Sequence, residues 1–378
     1  MSGTKRIYII AGEASGDLHG GNLVRELFAC AASDGVRLEV RAWGGDHMQR
    51  AGASLVKHIR DLAFMGFTEV LLNLGTILRN MAFCKRDIAS WQPDALILID
   101  YPGFNLRMAE YAHGLGIPVH YYISPQLWAW KAGRVEIVRR AVDHMYVILP
   151  FEKEWYAERG VVVEFVGHPL LDALTQDQQP AEAWDRGTDP RPVVALLPGS
   201  RRQEIARMLP VMLRMAPLFR SHRFVVAAAP GIPEAFYTRW MPGAEVERVS
   251  GRTYALLRAS AAALVTSGTA TLETALLGIP QVVCYKGGGL SVWIARRVVK
   301  VAYISLVNLI LGREAVKELV QEDFTERNLQ GALDRILNQP DVREGMATDM
   351  AELRTRSGGG GASRKVADRV WKSLGSGR

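Results

Sequence analysis

Cysteine is scarce: Cys30, Cys84 and Cys284 are the only three, far apart and without metal-ligand spacing. That excludes a disulfide framework and suits a reducing cytoplasm. Long apolar runs are missing too. No stretch of about 18 uncharged apolar residues occurs, so no membrane-spanning helix is expected. The opening "MSGTKRIYIIAGEASGD" runs straight into a strand, without the apolar region and cleavage site of a signal peptide. Dinucleotide chemistry lacks its signature as well. After the first strand, Glu13 and Ala14 separate Gly12 from Gly16, and "VRAWGG" (Val40–Gly45) offers no acid at the end of the second strand. The pattern argues against a simple dehydrogenase. No recognition-helix, zinc or RNA-stacking motif is present and the basic residues are scattered, which argues against nucleic acid. No DxD-type metal pair accompanies the phosphate-site candidates described below, so neither a metal nor another cofactor is expected.

What remains is a chain of 378 residues, 48% hydrophobic and 22% charged, long enough for two domains. Its net charge of +7 suits acidic partners such as phosphorylated substrates or anionic lipid. Short apolar runs alternate with helical segments, the pattern of parallel α/β sheets. In the first half, strands are expected at Arg6–Ala11, Leu38–Ala42, Ala95–Ile99, Val119–Ile123, His144–Ile148 and Val162–Phe165. In the second, they are expected at Val193–Leu197, Arg223–Ala228, Ala261–Val265 and Gln281–Tyr285. The polar, Pro/Gly-punctuated stretch 169–192 reads as a linker between domains 1–168 and 193–356. Two Rossmann-like halves facing across a cleft are the expected fold, with a ligand at the carboxyl ends of their strands. A glycine hinge and a terminal helix occupy 357–378, and that helix either crosses back onto the first half or swaps into a second chain. The chain is thus a monomer or a swapped homodimer.

Chemistry concentrates at the strand ends. "LVTSGTATLETALLGIP" (Leu264–Pro280) reads as strand, small-residue turn and helix, so Ser267, Gly268, Thr269 and Ala270 present uncapped N–H groups to an anion. Glu273, one turn further in, is placed to accept hydrogen bonds from sugar hydroxyls. "ALLPGSRRQEI" (Ala195–Ile205) repeats the device with Gly199, Ser200 and Arg201. Together the two helix starts would grip a diphosphate. In "LILIDYPGFN" (Leu96–Asn105), Asp100 is either a general base or a turn acid. "GEASGD" presents Gly12, Glu13, Ser15, Gly16 and Asp17 to a sugar or phosphate. "HYYISPQLWAWKAGR" brings Trp128, Trp130, Lys131 and Arg134 to stack on a sugar or meet phosphate, or simply to pack a core. "LAFMGFTEVLLNLGTILRNMAFCKR" (Leu62–Arg86) is apolar with a basic end, suiting either a buried helix pair or a face laid on a bilayer.

These motifs, with "LPFEKEWY", "VGHPLLD" and "YISLVNLILGREAVKELVQED", occur in this order in sequences similar to lipid A disaccharide synthase, and the resemblance runs from about Arg6 to Asp323. It implies an inverting, metal-independent GT-B glycosyltransferase. Such an enzyme joins UDP-2,3-diacylglucosamine to 2,3-diacylglucosamine 1-phosphate, giving UDP and the β-1,6-linked disaccharide of lipid A in Gram-negative bacteria. It also implies peripheral attachment to the cytoplasmic face of the inner membrane. Asp100 corresponds to the base or acceptor-positioning carboxylate, Arg201 to the arginine facing the diphosphate, Glu273 to the ribose ligand and Asn308 to a donor-site asparagine. Asn105 falls in the acceptor motif. An acylated donor and acceptor favour lipid contact at Phe64, Met65, Phe67, Leu71 and Leu72, and anionic lipid as a partner. Gly103 stands where some relatives carry an acid, so no second carboxylate beside Asp100 is assumed. The rivals are a UDP-N-acetylglucosamine epimerase and a non-catalytic carrier of nucleotide-sugar or lipid.

Overall fold

The computed structural model describes residues 3–61, 74–129, 132–176, 189–241, 246–288 and 302–376. The chain divides into two compact units, 1–173 with 358–378, and 174–357. The first unit alternates β1 (Lys5–Ala11), α1 (Ala14–Ser33), β2 (Leu38–Gly44), α2 (Asp46–Arg50), β3 (Ser54–His58), α3 (Leu74–Trp91) and β4 (Ala95–Ile99). It continues with α4 (Pro102–Gly114), β5 (Val119–Tyr122), α5 (Val135–Ala141), β6 (His144–Val147), α6 (Glu152–Ala157) and β7 (Glu164–Phe165). Helix α7 (Leu170–Gln176) leads out of it, within the stretch expected to be linker. The second unit runs β8 (Val193–Leu197), α8 (Arg202–Leu213), β9 (Arg223–Ala228), α9 (Glu234–Thr238), β10 (Glu247–Ser250), α10 (Thr253–Arg258) and β11 (Ser260–Thr266). Then come α11 (Thr269–Leu276), β12 (Gln281–Tyr285), α12 (Leu306–Leu311), β13 (Lys317–Val320), α13 (Glu326–Asn338) and α14 (Pro340–Arg356). Helix α15 (Ala362–Ser376) closes the chain.

Among the described residues each unit holds one parallel sheet, ordered β3-β2-β1-β4-β5-β6-β7 and β10-β9-β8-β11-β12-β13. Parallel strands need cover on both faces, and their residues divide accordingly. Tyr8, Ile10, Leu96 and Leu98 face one core, whereas Ile7, Ile9, Ala11, Ile97 and Ile99 face the other. That second core is completed by α1 and by α15, whose Ala362, Val366, Ala367, Val370 and Leu374 are buried in it. The terminal helix therefore crosses back onto the first unit of its own chain. Polar contacts ring its apolar face: Lys5 Nζ donates to the Leu374 carbonyl at 2.8 Å and Trp371 Nε1 to Asp34 at 2.7 Å. The Asp172 carboxylate accepts from the Gly361 and Ser363 amides, capping the helix start.

Interior strands match the sequence reading closely. The edges do not. Strands β3, β10 and β13 were not anticipated, and β7 is two residues long instead of four. Helix α8 ends at Leu213, three residues after Pro210.

Candidate active site

Strand order reverses once in each sheet, between β1 and β4 and between β8 and β11. At such a switch point the loops leaving neighbouring strands part to opposite faces and open a crevice. The first switch brings together the loop after β1, carrying Gly12, Glu13 and Ser15, and the loop after β4, carrying Asp100; Ala11 and Ile99 are register partners. The second brings together Gly199–Arg201 after β8 and Ser267–Ala270 after β11, where Leu197 pairs Val265.

At the first edge, Asp100 and Tyr101 have φ of +46° and +51°, and Tyr101 precedes Pro102. Two successive left-handed residues are strained and persist only where the surroundings impose them. Fully buried Asn105 does so: its Nδ2 donates to the Asp100 carbonyl at 2.7 Å and to the Ile99 carbonyl at 3.2 Å. The Tyr121 hydroxyl donates to the same Asp100 carbonyl at 2.6 Å. Gly12 is obligatory here, since a Cβ on it would lie 2.4 Å from the Tyr101 ring. Asp100 is partly buried, and its carboxyl is pushed up to about 6 by that burial and by the negative charge of Glu13. A hydrogen bond from the Tyr101 amide opposes the shift. The like charge felt by Asp100 thus comes from Glu13, on the loop after the neighbouring strand β1, and not from position 103. Ser15 is exposed and Gly16 buried, with a Cβ at Gly16 meeting that of Ala11 at 3.0 Å.

Other first-unit residues turn out to be braces. Asp17 is buried, and its carboxylate accepts from the amides of Gly45, His47 and Met48 at 2.7, 3.0 and 3.1 Å. That occupies it with holding the start of α2. Trp128 donates its indole N–H to Glu152 at 3.2 Å and meets Phe151 edge-on. Glu152 also accepts from the Ser124 hydroxyl and from the Ile148 and Leu149 amides. Burial raises its carboxyl to about 7 against these bonds, which makes it the clamp of the Ser124–Trp128 loop. Trp130, Lys131, Phe64, Met65, Phe67, Leu71 and Leu72 lie outside the described residues.

In the second unit the two helix starts differ. Gly199 has φ of +111°, where glycine is at ease. Its neighbours' amides, at Ser200 and Arg201, donate to the Glu204 carboxylate at 3.1 and 3.2 Å, and the Arg201 guanidinium pairs with that carboxylate at 3.3 Å. The start of α8 is a capping box. At α11, Gly268 sits at the N-cap without a side-chain cap, and the amides of Gly268, Thr269 and Ala270 have no hydrogen-bond partner among the described residues. The Ser267 hydroxyl donates to the Ile304 carbonyl at 2.9 Å, and its amide donates to the Cys284 carbonyl. Burial raises the Glu273 carboxyl, and a side-chain hydrogen bond with Tyr254 lowers it.

Asn308 does not open onto this edge. It is fully buried: Oδ1 accepts from the Ala315 and Val316 amides, and Nδ2 donates to the Val316 carbonyl and to Glu318. Three residues escaped the sequence reading: Glu204, Tyr254 and Glu318. Only Glu204 left a signal, a glutamate three positions beyond a helix N-cap.

A family model described as lipid-A-disaccharide synthetase matches residues 7–366. The lipid-A-disaccharide synthase of Geobacter metallireducens is 40% identical, covering 99% of this chain and 98% of its own length. The one from Trichlorobacter lovleyi is 41% identical, covering 97% of each. Among solved structures, UDP-GlcNAc 2-epimerase from Neisseria meningitidis bound to UDP-GlcNAc aligns with a TM-score of 0.68 at 14% identity, over 97% of this chain and 100% of that one. A glycotransferase of kitacinnamycin also gives 0.68, at 15% identity, over 98% and 100%. At such identities these two share the fold: two Rossmann-like domains of the GT-B kind.

Proposed function

The chain belongs to the lipid-A-disaccharide synthetase family, and from that premise we propose how its two strand edges carry out the transfer. It is a glycosyltransferase that forms the lipid A disaccharide from a sugar-nucleotide donor and a sugar-phosphate acceptor. The donor is UDP-2,3-diacylglucosamine and the acceptor 2,3-diacylglucosamine 1-phosphate.

In this reading the diphosphate lies on the start of α11, where amides without a partner among the described residues and the positive helix end favour negative charge. Glu273 accepts the ribose hydroxyls. Arg201 exchanges Glu204 for the diphosphate, so the α8 start contributes chiefly a side chain. Asp100 takes the proton from the acceptor's 6-hydroxyl, whose oxygen attacks the anomeric carbon as its bond to the UDP oxygen breaks. The new C–O bond forms on the face opposite UDP, inverting the centre, and the pyrophosphate leaves with the bonding pair. Amides already aimed at that charge stabilise it without reorganising. A carboxyl raised to about 6 is a stronger base than an ordinary aspartate yet still ionised at neutral pH.

One observation carries the reading: both switch points are furnished, one with a raised carboxylate near a second acid, the other with amides that have no partner among the described residues. The test incubates the protein with UDP-diacylglucosamine, with and without the acceptor phosphate. Disaccharide and UDP should form only with both present. UDP release without acceptor, or epimerised sugar, would overturn it.

Membrane contact is part of the proposal. No described helix is long and apolar enough to cross a bilayer. Helix α3, however, exposes Leu78 and Phe83 beside exposed Arg79 and Arg86, a combination suited to an anionic lipid surface. Serine at Leu78 and Phe83 should shift the protein from the membrane to the soluble fraction. Unchanged partition would remove α3 from the contact.

A further inference from the structure

Glu318 lies in the middle of the edge strand β13, pairing with Val283 of β12. Its carboxylate accepts four hydrogen bonds, from the Ile304 amide at 2.9 Å, the Ser305 amide at 3.0 Å, the Ser305 hydroxyl at 2.7 Å and Asn308 Nδ2 at 2.8 Å. Asn308 in turn fastens to the Val316 carbonyl and receives the Ala315 and Val316 amides. The peptide joining Ile304 to Ser305 is therefore gripped on both sides, its N–H (that of Ser305) by Glu318 at 3.0 Å and its C=O (that of Ile304) by the Ser267 hydroxyl at 2.9 Å. Ser267 precedes Gly268, the N-cap of α11.

We propose that Glu318 is a positioning residue for the donor, fixing the Ile304–Ser305 loop so that it holds Ser267 and aims the first-turn amides of α11. The inference rests on the reading of that helix start as the diphosphate site. The physical point is where protons go. The Ser267 hydroxyl has one proton, and the Ile304 carbonyl holds it only while that peptide is anchored. Without Glu318, four donors lose one acceptor together, the peptide is free to turn, and the Ser267 hydroxyl can rotate into the space an anion would fill. A carboxylate is needed because all four groups facing it are donors; a glutamine would turn its own NH2 toward at least one of them. The role of Asn308 follows as well: it closes the clamp from behind without touching the donor.

Calorimetric titration of the full-length protein with UDP tests this. Glu318→Ala should weaken UDP roughly 10-fold to 100-fold, about the loss of one hydrogen bond to a charged group. Donor KM should rise in step, while the acid limb of the pH profile, set by Asp100, stays where it is. Glu318→Gln, which keeps one acceptor oxygen, should fall between the two. Ser267→Ala supplies a readout that leaves the clamp itself intact and should also weaken UDP. A lowered melting temperature with UDP affinity unchanged in Glu318→Gln and Ser267→Ala would overturn the proposal, even if the alanine variant at 318 fails to fold. Glu273→Ala and Gly268→Asp separate the two failures. If they abolish UDP binding while the 318 and 267 variants do not, only the positioning role falls. If they too leave UDP binding unchanged, the diphosphate reading falls with it.

Discussion

Helices α8 and α11 begin alike, each after a buried strand and a small-residue turn, each at the switch point of one sheet. They nevertheless offer different things to a ligand. At α8 the amides of Ser200 and Arg201 already bind the Glu204 carboxylate, which also pairs the Arg201 guanidinium. At α11 nothing among the described residues occupies the amides of Gly268, Thr269 and Ala270. A helix start is a site for a foreign anion only where the chain has not brought its own. The three residues after the turn decide which: a glutamate at the third helical position closes α8, and Thr271 leaves α11 open. Thr271 turns its hydroxyl back to the Gly268 carbonyl.

That contrast can be attacked from four directions. The largest effect tests whether the chemistry resides elsewhere altogether. Asp100→Asn should lower kcat by about 10²–10⁴, the share of a general base, with UDP affinity unchanged. The same variant should melt higher at neutral pH. The folded carboxyl sits at about 6 against an unfolded value of 3.8, so the folded state binds the proton more tightly and stability falls as pH rises through that window. A turnover that survives Asp100→Asn would remove Asp100 from the mechanism.

Next, Gly268→Asp would give α11 the kind of internal anion that α8 has. Open space surrounds the Gly268 Cβ position and its φ is extended, so the residue fits as an N-cap. Donor turnover should fall by about 10²–10³. Stability should hold or improve, because aspartate is a preferred cap. Undiminished UDP binding would place the diphosphate elsewhere. Third, Glu13→Gln removes the like charge beside Asp100, so the acid limb of kcat/KM, expected near pH 6, should move to lower pH. A limb that stays put would mean the charge of Glu13 is not felt. The smallest effect belongs to Glu204→Ala: a stability loss of about 1 kcal/mol from the broken capping box, and UDP bound no more weakly than before. A drop in UDP affinity as large as that of Gly268→Asp would reverse the ranking of the two helix starts.

How far this could be read beforehand depended on how local each cause was. Interior strands such as Ala95–Ile99 and Gln281–Tyr285 were legible to the residue, because burial on both faces demands an unbroken apolar run. Edge strands were not. "SLVKH", "ERVS" and "KELV" carry charge and polar groups, which is how sheet edges avoid pairing with other chains. Asp100, Arg201 and Glu273 stood out by residue type at a strand end. Asp17, Trp128 and Asn308 stood out equally, yet the fold gives their hydrogen bonds to loops. No local pattern separates an asparagine that meets a ligand from one that holds up the backbone beside it.

Sequence alone determined the alternation of strand and helix, the two-part build, the small-residue turns and the motifs that carry the family likeness, since each follows from neighbours a few positions apart. Tertiary structure decided the rest. It set Glu13 against Asp100 at the ends of neighbouring strands β1 and β4, whose last register partners are Ala11 and Ile99. It filled one helix start and left the other open, brought α15 back onto the first sheet, and tied β13 to the Ser267 turn through Glu318. Those outcomes rest on directional hydrogen bonds and on charges felt at short range in low dielectric, which exist only once distant segments are in place.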